Sequence, residues 1–547
     1  MKFLKKTAIF LLCFSAVCTS GCGNAAQTAD IDRSILPESV QSLSFDEHMT
    51  ISFGYWNIEN MTKATEPDEL TQYIEKLFNI TIQPMSVTWT NYKERYQILA
   101  ATGSLPDVFV NLTLSSTDCN DSAGYTDMIQ NQSIRALPSD LSNYPLIQQL
   151  MDSMTYLKYS DDNFYCIPRI SFNDSILQAT DAAMIVRKDW MENLGITTPQ
   201  SYEEFASMVT AFAKNDPDGN GTDDTIGYNV STLSALGKWV ILGIEPDCNI
   251  FTWVEENGRY VPSWTTKVFE KVVKEYQTLY QAGGLDPDFY TKTPSSVLED
   301  FASGRLGALE HKSSPSALME LKTLWDSLNE KPFEECVDIL PIYPADDGVR
   351  YSNSSNAFWS ESFISSSVDD AKLERILALF EFLLSDEGMQ LCHYGFENID
   401  YSVDDNQEYT CLLDTGKQSL TEALTEKYPS VVLFSNIASW GGSWADFEDN
   451  TLNRLRYGTE CIQLSRKAVL WEQENTTQLN RPYDFLNFPK ESTELFSTSQ
   501  AFDQFVKCII GSNDALTEWR QVLQDMNNSG LQDYINRQNE LFQNHYN

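Results

Sequence analysis

Four oxygen-bearing side chains recur in the stretch NDPDGNGTDDTIGY, residues 215–228. With Asp216 as position 1, Asp218, Asn220 and Asp224 fall at positions 3, 5 and 9. The carbonyl of Thr222 falls at position 7, and Gly221 at position 6, where a calcium loop of the EF-hand type turns through positive φ. This spacing aims several oxygens at one centre. A hard cation that takes about six to eight oxygen ligands suits it better than Mg²⁺ does. Gly227 stands at position 12, where a bidentate Glu is usual, so Thr225, a water or a remote carboxylate has to close the shell. The expectation is a structural Ca²⁺ held by Asp216, Asp218, Asn220, Thr222 and Asp224. It would staple the end of a helix and do no chemistry. The alternative is an acidic turn without metal.

A second set of residues could hold a sugar. Sugars offer C–H faces to aromatic rings and hydroxyl edges to amides and carboxylates. Aromatic residues make up 12% of the chain, enough to line a stacking cleft. Trp56 and Asn111 stand at the ends of expected strands, and Trp89 follows another. Trp239, Trp359 and the pair Trp440 and Trp444 in SWGGSW interrupt loops or edges. For any one Trp, core packing is the ordinary role, and two or three of this set are expected to line a cleft. Catalysis has no comparable signal. No H-E-x-x-H, G-x-S-x-G or G-x-x-x-x-G-K-[ST] occurs, and the four His show no metal spacing. Two carboxylates suffice for glycoside hydrolysis, so a glycan-acting enzyme stays as an alternative to a passive binder.

The elements that must position these residues alternate as βα. Ile51, Phe53 and Tyr55 read as a strand ending near Trp56, and Leu70, Tyr73, Ile74, Leu77 and Phe78 as one face of a helix. A strand at Ile80 and Ile82, a helix with Tyr92, Tyr96 and Leu99, and a strand Val108 to Val110 follow. A second α/β region opens with a strand from Ala182 to Val186. Its next helix begins at a capping box, Ser201 and Glu204, and ends near Lys214. Further helices are expected at about Thr266 to Ala282 and from near residue 370, with Leu373, Ile376, Leu377 and Phe380 on one face. Such alternation implies parallel pairing, with ligands at the carboxyl ends of the strands. No linker divides the body, so the two regions read as lobes of one molecule.

The N-terminus speaks to compartment. Lys2, Lys5 and Lys6 precede an apolar run from Ala8 to Val17, half the length a membrane span needs. Small residues then lead to Cys22, as in a bacterial lipoprotein signal, so residues 1–21 are expected to be removed and Cys22 lipidated. Thr19 stands where an aliphatic residue is usual. Residues 22–48 lack apolar periodicity and read as a flexible tether. The chain of 547 residues carries a formal charge of −40, and loss of the three signal lysines leaves −43. That balance disfavours nucleic acid and basic docking onto anionic lipid. The other eight Cys are scattered and read as buried free thiols.

The segment IVRKDWMENLGITTPQSYEEFASMVTAFAKNDPDGNGTDDTIGY, residues 185–228, resembles the bacterial extracellular solute-binding protein family 1, in its oligosaccharide-type lipoprotein branch. TGSLPDVFVN (102–111), DDNFYCIPR (161–169), LYQAGGLDPDFYT (279–291), FASGRLGAL (301–309) and FEFLLSDEGMQLCHYGFENIDY (380–401) follow the family order. The resemblance covers about residues 50–400. In the family a Glu follows the position-9 Asp of the calcium loop, where this chain has Thr225. The resemblance implies an α/β, two-lobed periplasmic-binding-protein-like fold of type II with a hinge. It places the N-terminal lobe at 49–169 and 301–365 and the C-terminal lobe at 170–300 and 366–547, with crossings near Arg169 and Phe301. It further implies a lipid-anchored monomer at the outer face of the cytoplasmic membrane, which captures an oligosaccharide and delivers it to the permease subunits of an ABC importer. Presentation of ligand to a membrane sensor, or binding of a peptide or other organic solute, are the alternatives.

Overall fold

The computed structural model describes residues 32–114, 122–352, 358–416, 418–479 and 496–546. Ten strands build its two main sheets. In chain order they are β1 (Met49–Trp56), β2 (Ile80–Val87), β3 (Val108–Asn111), β4 (Ile167–Phe172), β5 (Ala183–Arg187), β6 (Ile226–Val230), β7 (Leu306–His311), β8 (Val337–Leu340), β9 (Phe358–Ile364) and β10 (Ser439–Gly442). The first sheet runs β10-β4-β9-β3-β1-β2 and the second β8-β5-β7-β6.

Local sequence explains the elements that were expected. Helix Glu69–Phe78 buries Leu70, Ile74, Leu77 and Phe78, and the Asp68 side chain caps it by accepting from Thr71 N. Helix Tyr202–Lys214 begins at Ser201, whose Oγ accepts from Glu204 N, while the Glu204 carboxylate accepts from Gln200 N. Helix Lys188–Leu194 stops at Gly195, at φ 65°, a left-handed position that costs glycine little. Each lobe then closes its own core. One gathers Ile51, Phe53, Val108, Phe109, Phe363, Leu377 and Phe380; the other gathers Val186, Phe205, Phe212, Tyr228, Val273 and Ala308.

Pairing is only partly parallel. β1 is parallel to β2 and β3, and β6 to β7. β9 runs antiparallel to both β3 and β4, and β5 runs antiparallel to both β7 and β8. The chain therefore enters these sheets from the opposite end after long excursions, and helical crossovers alone do not describe it.

The lobe boundaries expected from the sequence need correction. Residues 306–340 contribute β7 and β8 to the second sheet, and Phe301 is buried in that lobe. Among the described residues of the 301–365 segment, only β9 enters the first sheet. Helices Asp370–Leu383, Asp386–Tyr394, Leu420–Lys427 and Val431–Ile437 pack on the first core, so residues 370 to about 457 belong there. Helices Thr498–Ile510, Ala515–Asn528 and Leu531–Tyr546 complete the second lobe. The chain crosses between lobes after Phe172, between Leu340 and Phe358, and at Gly458, which joins helices Thr451–Tyr457 and Thr459–Asn475.

The expected tether is also shorter than 22–48. Leu36, Val40 and Phe45 are buried in the first core. Phe45 lies between two guanidinium groups, Arg33 at 4.1 Å and Arg375 at 4.3 Å from its ring centre. Arg33 Nη2 donates to the Leu43 carbonyl, and Asn79 Nδ2 to the Phe45 carbonyl. Polar residues mask the periodicity of this segment, but three apolar side chains are enough to dock it. Residues 1–31, with the expected signal and Cys22, lie outside the described residues. Among the described residues, no helix is long and apolar enough to cross a membrane. Seven cysteines are free thiols there and six of them are buried, as expected; Cys119 lies outside the described residues.

Candidate ligand cleft

Strand direction brings the candidate residues to one place. β1, β3 and β4 all end at the edge of the first sheet where β9 begins. The chain leaves β4 at that edge, makes the short turn Ser175–Asp181, and enters β5. β6 and β7 end at the same side of the second sheet. The two edges therefore meet at the crossing, which is where an open α/β body can hold a ligand between lobes.

On the first edge three of the seven predicted ligand residues form a shelf. The Trp56 ring lies 5.2 Å from Trp89 and 5.7 Å from Trp359, and Trp89 and Trp359 are stacked 5.7 Å apart at 17°. Tyr92 closes the group at 5.6 Å from both Trp56 and Trp89. Trp56 is buried, Trp359 half-buried, and Trp89 is 48% exposed. The 5.7 Å spacing leaves no room for a sugar ring between Trp89 and Trp359, so the usable surface is the outer, solvent-facing one. Trp56 Nε1 is buried and has no acceptor among the described residues.

Arg169 lies beneath the shelf, fully buried. Its Nη2 donates to Tyr55 Oη at 3.0 Å, its Nη1 to Ser360 Oγ at 2.6 Å and its Nε to the Asn436 carbonyl at 2.5 Å. The guanidinium sits 5.3 Å from the Tyr55 ring centre and 5.8 Å from that of Trp56. Burial lowers the Arg169 pKa and raises that of Tyr55, each partly offset by the other. Tyr55, Tyr92, Arg169 and Ser360 went unread as site residues. A lone Arg inside the apolar run CIPRI was the one available signal.

The other predicted residues behave differently. Asn111 is at the shelf edge but buried, and its Oδ1 accepts from Leu112 N, ending β3. Glu361, its cross-strand partner, accepts from Thr113 N, Thr113 Oγ1 and Leu114 N. Trp239 is not in the cleft. It opens helix Trp239–Leu242 and packs 5.7 Å from Phe205 and 5.4 Å from Tyr343, inside the second core. Trp444 supports the crossing instead: Nε1 donates to Asp174 Oδ2, and its ring joins Leu177, Phe447 and Val469. The backbone of Trp440 lies in β10, and its side chain is outside the described residues.

The second edge is polar. Asp181 meets Lys238 at 3.4 Å and Lys312 at 3.5 Å. Burial alone would raise the Asp181 pKa, but the two lysines outweigh it and leave it lowered. His311 ends β7 with both ring nitrogens buried and without a hydrogen-bond partner among the described residues, and burial, helped by Lys312, pushes its pKa down to about 4. It is neutral at pH 7.

The loop after helix Tyr202–Lys214 turns through positive φ at Gly221, 77°, as expected, and also at Asp216, 47°. Asp216 Oδ2 accepts from Gly221 N at 3.0 Å. Asn220 Nδ2 lies between two carboxylates, 2.8 Å from Asp218 Oδ2 and 3.3 Å from Asp224 Oδ1. Burial, then Asp216 and Asp224, raise the Asp218 pKa. Thr225 Oγ1 donates to the Phe212 carbonyl, which ties the loop to the preceding helix. Among the described residues no group of three or more His, Cys, Asp or Glu converges closely enough to hold a metal. Any cation here depends also on Asn220 and the Thr222 carbonyl.

Residues 69–406 match the family described as bacterial extracellular solute-binding protein. Lipoprotein LipO of Bacillus subtilis (strain 168) is 25% identical over 366 residues, 65% of this chain and 69% of that protein. The polygalacturonan/rhamnogalacturonan-binding protein YtcQ of the same organism is 23% identical over 350 residues, 63% of this chain and 65% of that protein. The Streptococcus pneumoniae ABC-transporter substrate-binding protein FusA, solved with kestose, superposes with a TM-score of 0.62 at 15% identity, covering 91% of this chain and 99% of FusA. FusA is also solved as an EF-hand mutant with fructo-nystose, at the same TM-score.

Proposed function

Because the chain belongs to the bacterial extracellular solute-binding protein family, we propose that it captures an oligosaccharide between its lobes and hands it unaltered to the permease of an ABC importer. The observation that carries this reading is the shelf of Trp56, Trp89 and Trp359 at the crossing edge, with Trp89 half in solvent. Aromatic faces offered to solvent at a lobe junction suit the C–H faces of sugar rings, and the polar second edge supplies partners for hydroxyls. Ligand touching both lobes favours the closed form. The names of YtcQ and FusA point to carbohydrate as well. The protein acts as a binder and not an enzyme, a monomer held at the outer face of the membrane through lipid on Cys22.

The test is a melting-temperature screen with kestose and with oligogalacturonides. A glycan at about a hundred times its Kd adds about 2.7 kcal/mol to stability and is recovered intact. If no glycan raises the melting point, or shortened product accumulates, the reading fails.

The loop at 216–224 fits a structural Ca²⁺. The Asn220 amide donor stands between the Asp218 and Asp224 carboxylates, where positive charge is needed, and rotation of that amide brings an oxygen to the same point. FusA, solved also as an EF-hand mutant, supports it. Asp216, Asp218, Asn220, Asp224 and the Thr222 carbonyl would hold the ion. Chelator is expected to lower the melting point by a few degrees and to leave glycan affinity unchanged. A melting curve indifferent to chelator rejects the metal.

A further inference from the structure

β9 departs from regular pairing at the point where it delivers Trp359. Between β9 and β4, Phe358 pairs with Ile170 and Glu361 with Pro168, so three steps on β9 match two on β4. The extra residue falls in Trp359–Ser360, the geometry of a β-bulge, which re-aims a side chain. Ser360 has φ 70° and is fully buried, a left-handed conformation that a non-glycine residue holds only when its surroundings impose it. Its hydroxyl donates to the Trp359 carbonyl and accepts from Arg169 Nη1.

Arg169 thus reaches three elements from β4. It touches β1 through Tyr55 and the Trp56 ring, β9 through Ser360, and helix Val431–Ile437 through Asn436. A planar guanidinium can satisfy these directions at once and stack on a ring. A lysine ammonium on a flexible stem cannot do both.

We propose that Arg169 is a positioning residue for ligand capture: with Ser360 as intermediary, it sets Trp56 and Trp359 at the mutual angle that makes them, with Trp89, one continuous shelf. This rests on the stacking role proposed above, but its first readout needs no ligand. Indoles 5.2 to 5.7 Å apart give an exciton couplet in circular dichroism, and W359F identifies the part of it that belongs to the shelf. R169K and S360A are each expected to lose at least half of that part while still unfolding cooperatively. Whichever of kestose and oligogalacturonide binds the parent protein is expected to bind both variants at least tenfold more weakly. A parental couplet in both variants overturns the proposal. If R169K does not fold, S360A decides alone, because it removes the acceptor and leaves the buried guanidinium in place. If the parent binds neither sugar, the carbohydrate reading falls while the couplet still decides the role of Arg169.

Discussion

Trp56 closes β1 in the first lobe, and Trp239 opens the helix after β6 in the second. Trp56 is the last residue of its strand and Trp239 comes nine residues after the end of β6, each beyond the crossing side of its sheet. Trp56 meets two other indoles, one of them half in solvent, whereas Trp239 is enclosed by Phe205 and Tyr343. What separates them is the next few residues. A turn through Asn57 at φ 53° leaves Trp56 at the edge, while a helix starting at Trp239 folds its ring inward. The two edges therefore differ in character: aromatic rings crowd the first, and ion-paired groups such as Asp181, Lys238 and Lys312 the second.

That division can be broken by substitution. The largest effect on stability is expected for W239A, about 3–5 kcal/mol by loss of a large buried ring. Denaturant unfolding measures it, and the shelf couplet should persist in the folded fraction. Next comes E310Q. Glu310 is buried in the second lobe, accepting from Tyr228 Oη and Trp239 N, and burial raises its pKa to about 7. The folded protein keeps a proton there that the unfolded chain has lost, so this contribution is full below pH 4.5 and disappears as pH rises to about 7. Relative to E310Q, the parent should lose roughly 3 kcal/mol across that window. Parallel stability–pH curves for the two would show that Glu310 titrates normally. The smallest effect on stability is expected for W89A, under about 1 kcal/mol given the exposure of the ring, yet its glycan affinity should fall at least tenfold. A W89A protein that melts much lower and binds normally would reverse the assignment of the two lobes.

Most elements were legible because apolar spacing reports them directly: β1, helix Glu69–Phe78 and helix Tyr202–Lys214 stand where periodicity and caps placed them. The lobe boundaries were not, because β7 (LGALEH) and β9 (FWSESFI) are short strands with no local mark of which sheet they join. Of the seven ligand candidates, Trp56, Trp89 and Trp359 come together. Strand ends pick out Trp56 and Trp89, whereas Trp359 and Trp239 both come from the looser criterion of interrupting a loop or edge, which ignores what the following backbone does and so also picks Trp239, a core residue. Arg169 reads from the sequence only as a crossing point, because its hydrogen-bond partners Tyr55, Ser360 and Asn436 are far away in sequence and neutral, leaving no charge pattern that ties it to the aromatic group.

The placement of β9 between β3 and β4 has a consequence for biosynthesis. When the ribosome has made β4, the centre of the first sheet is still missing, and the whole second lobe except its last helices must be translated before Phe358 appears. At ordinary elongation rates that interval is about 10 to 40 s. One edge of β3 and both edges of β4 stay open throughout, because β10, the other neighbour of β4, comes later still, so this half of the protein completes its sheet only late in chain order and its edges have to be kept from pairing with other chains until then.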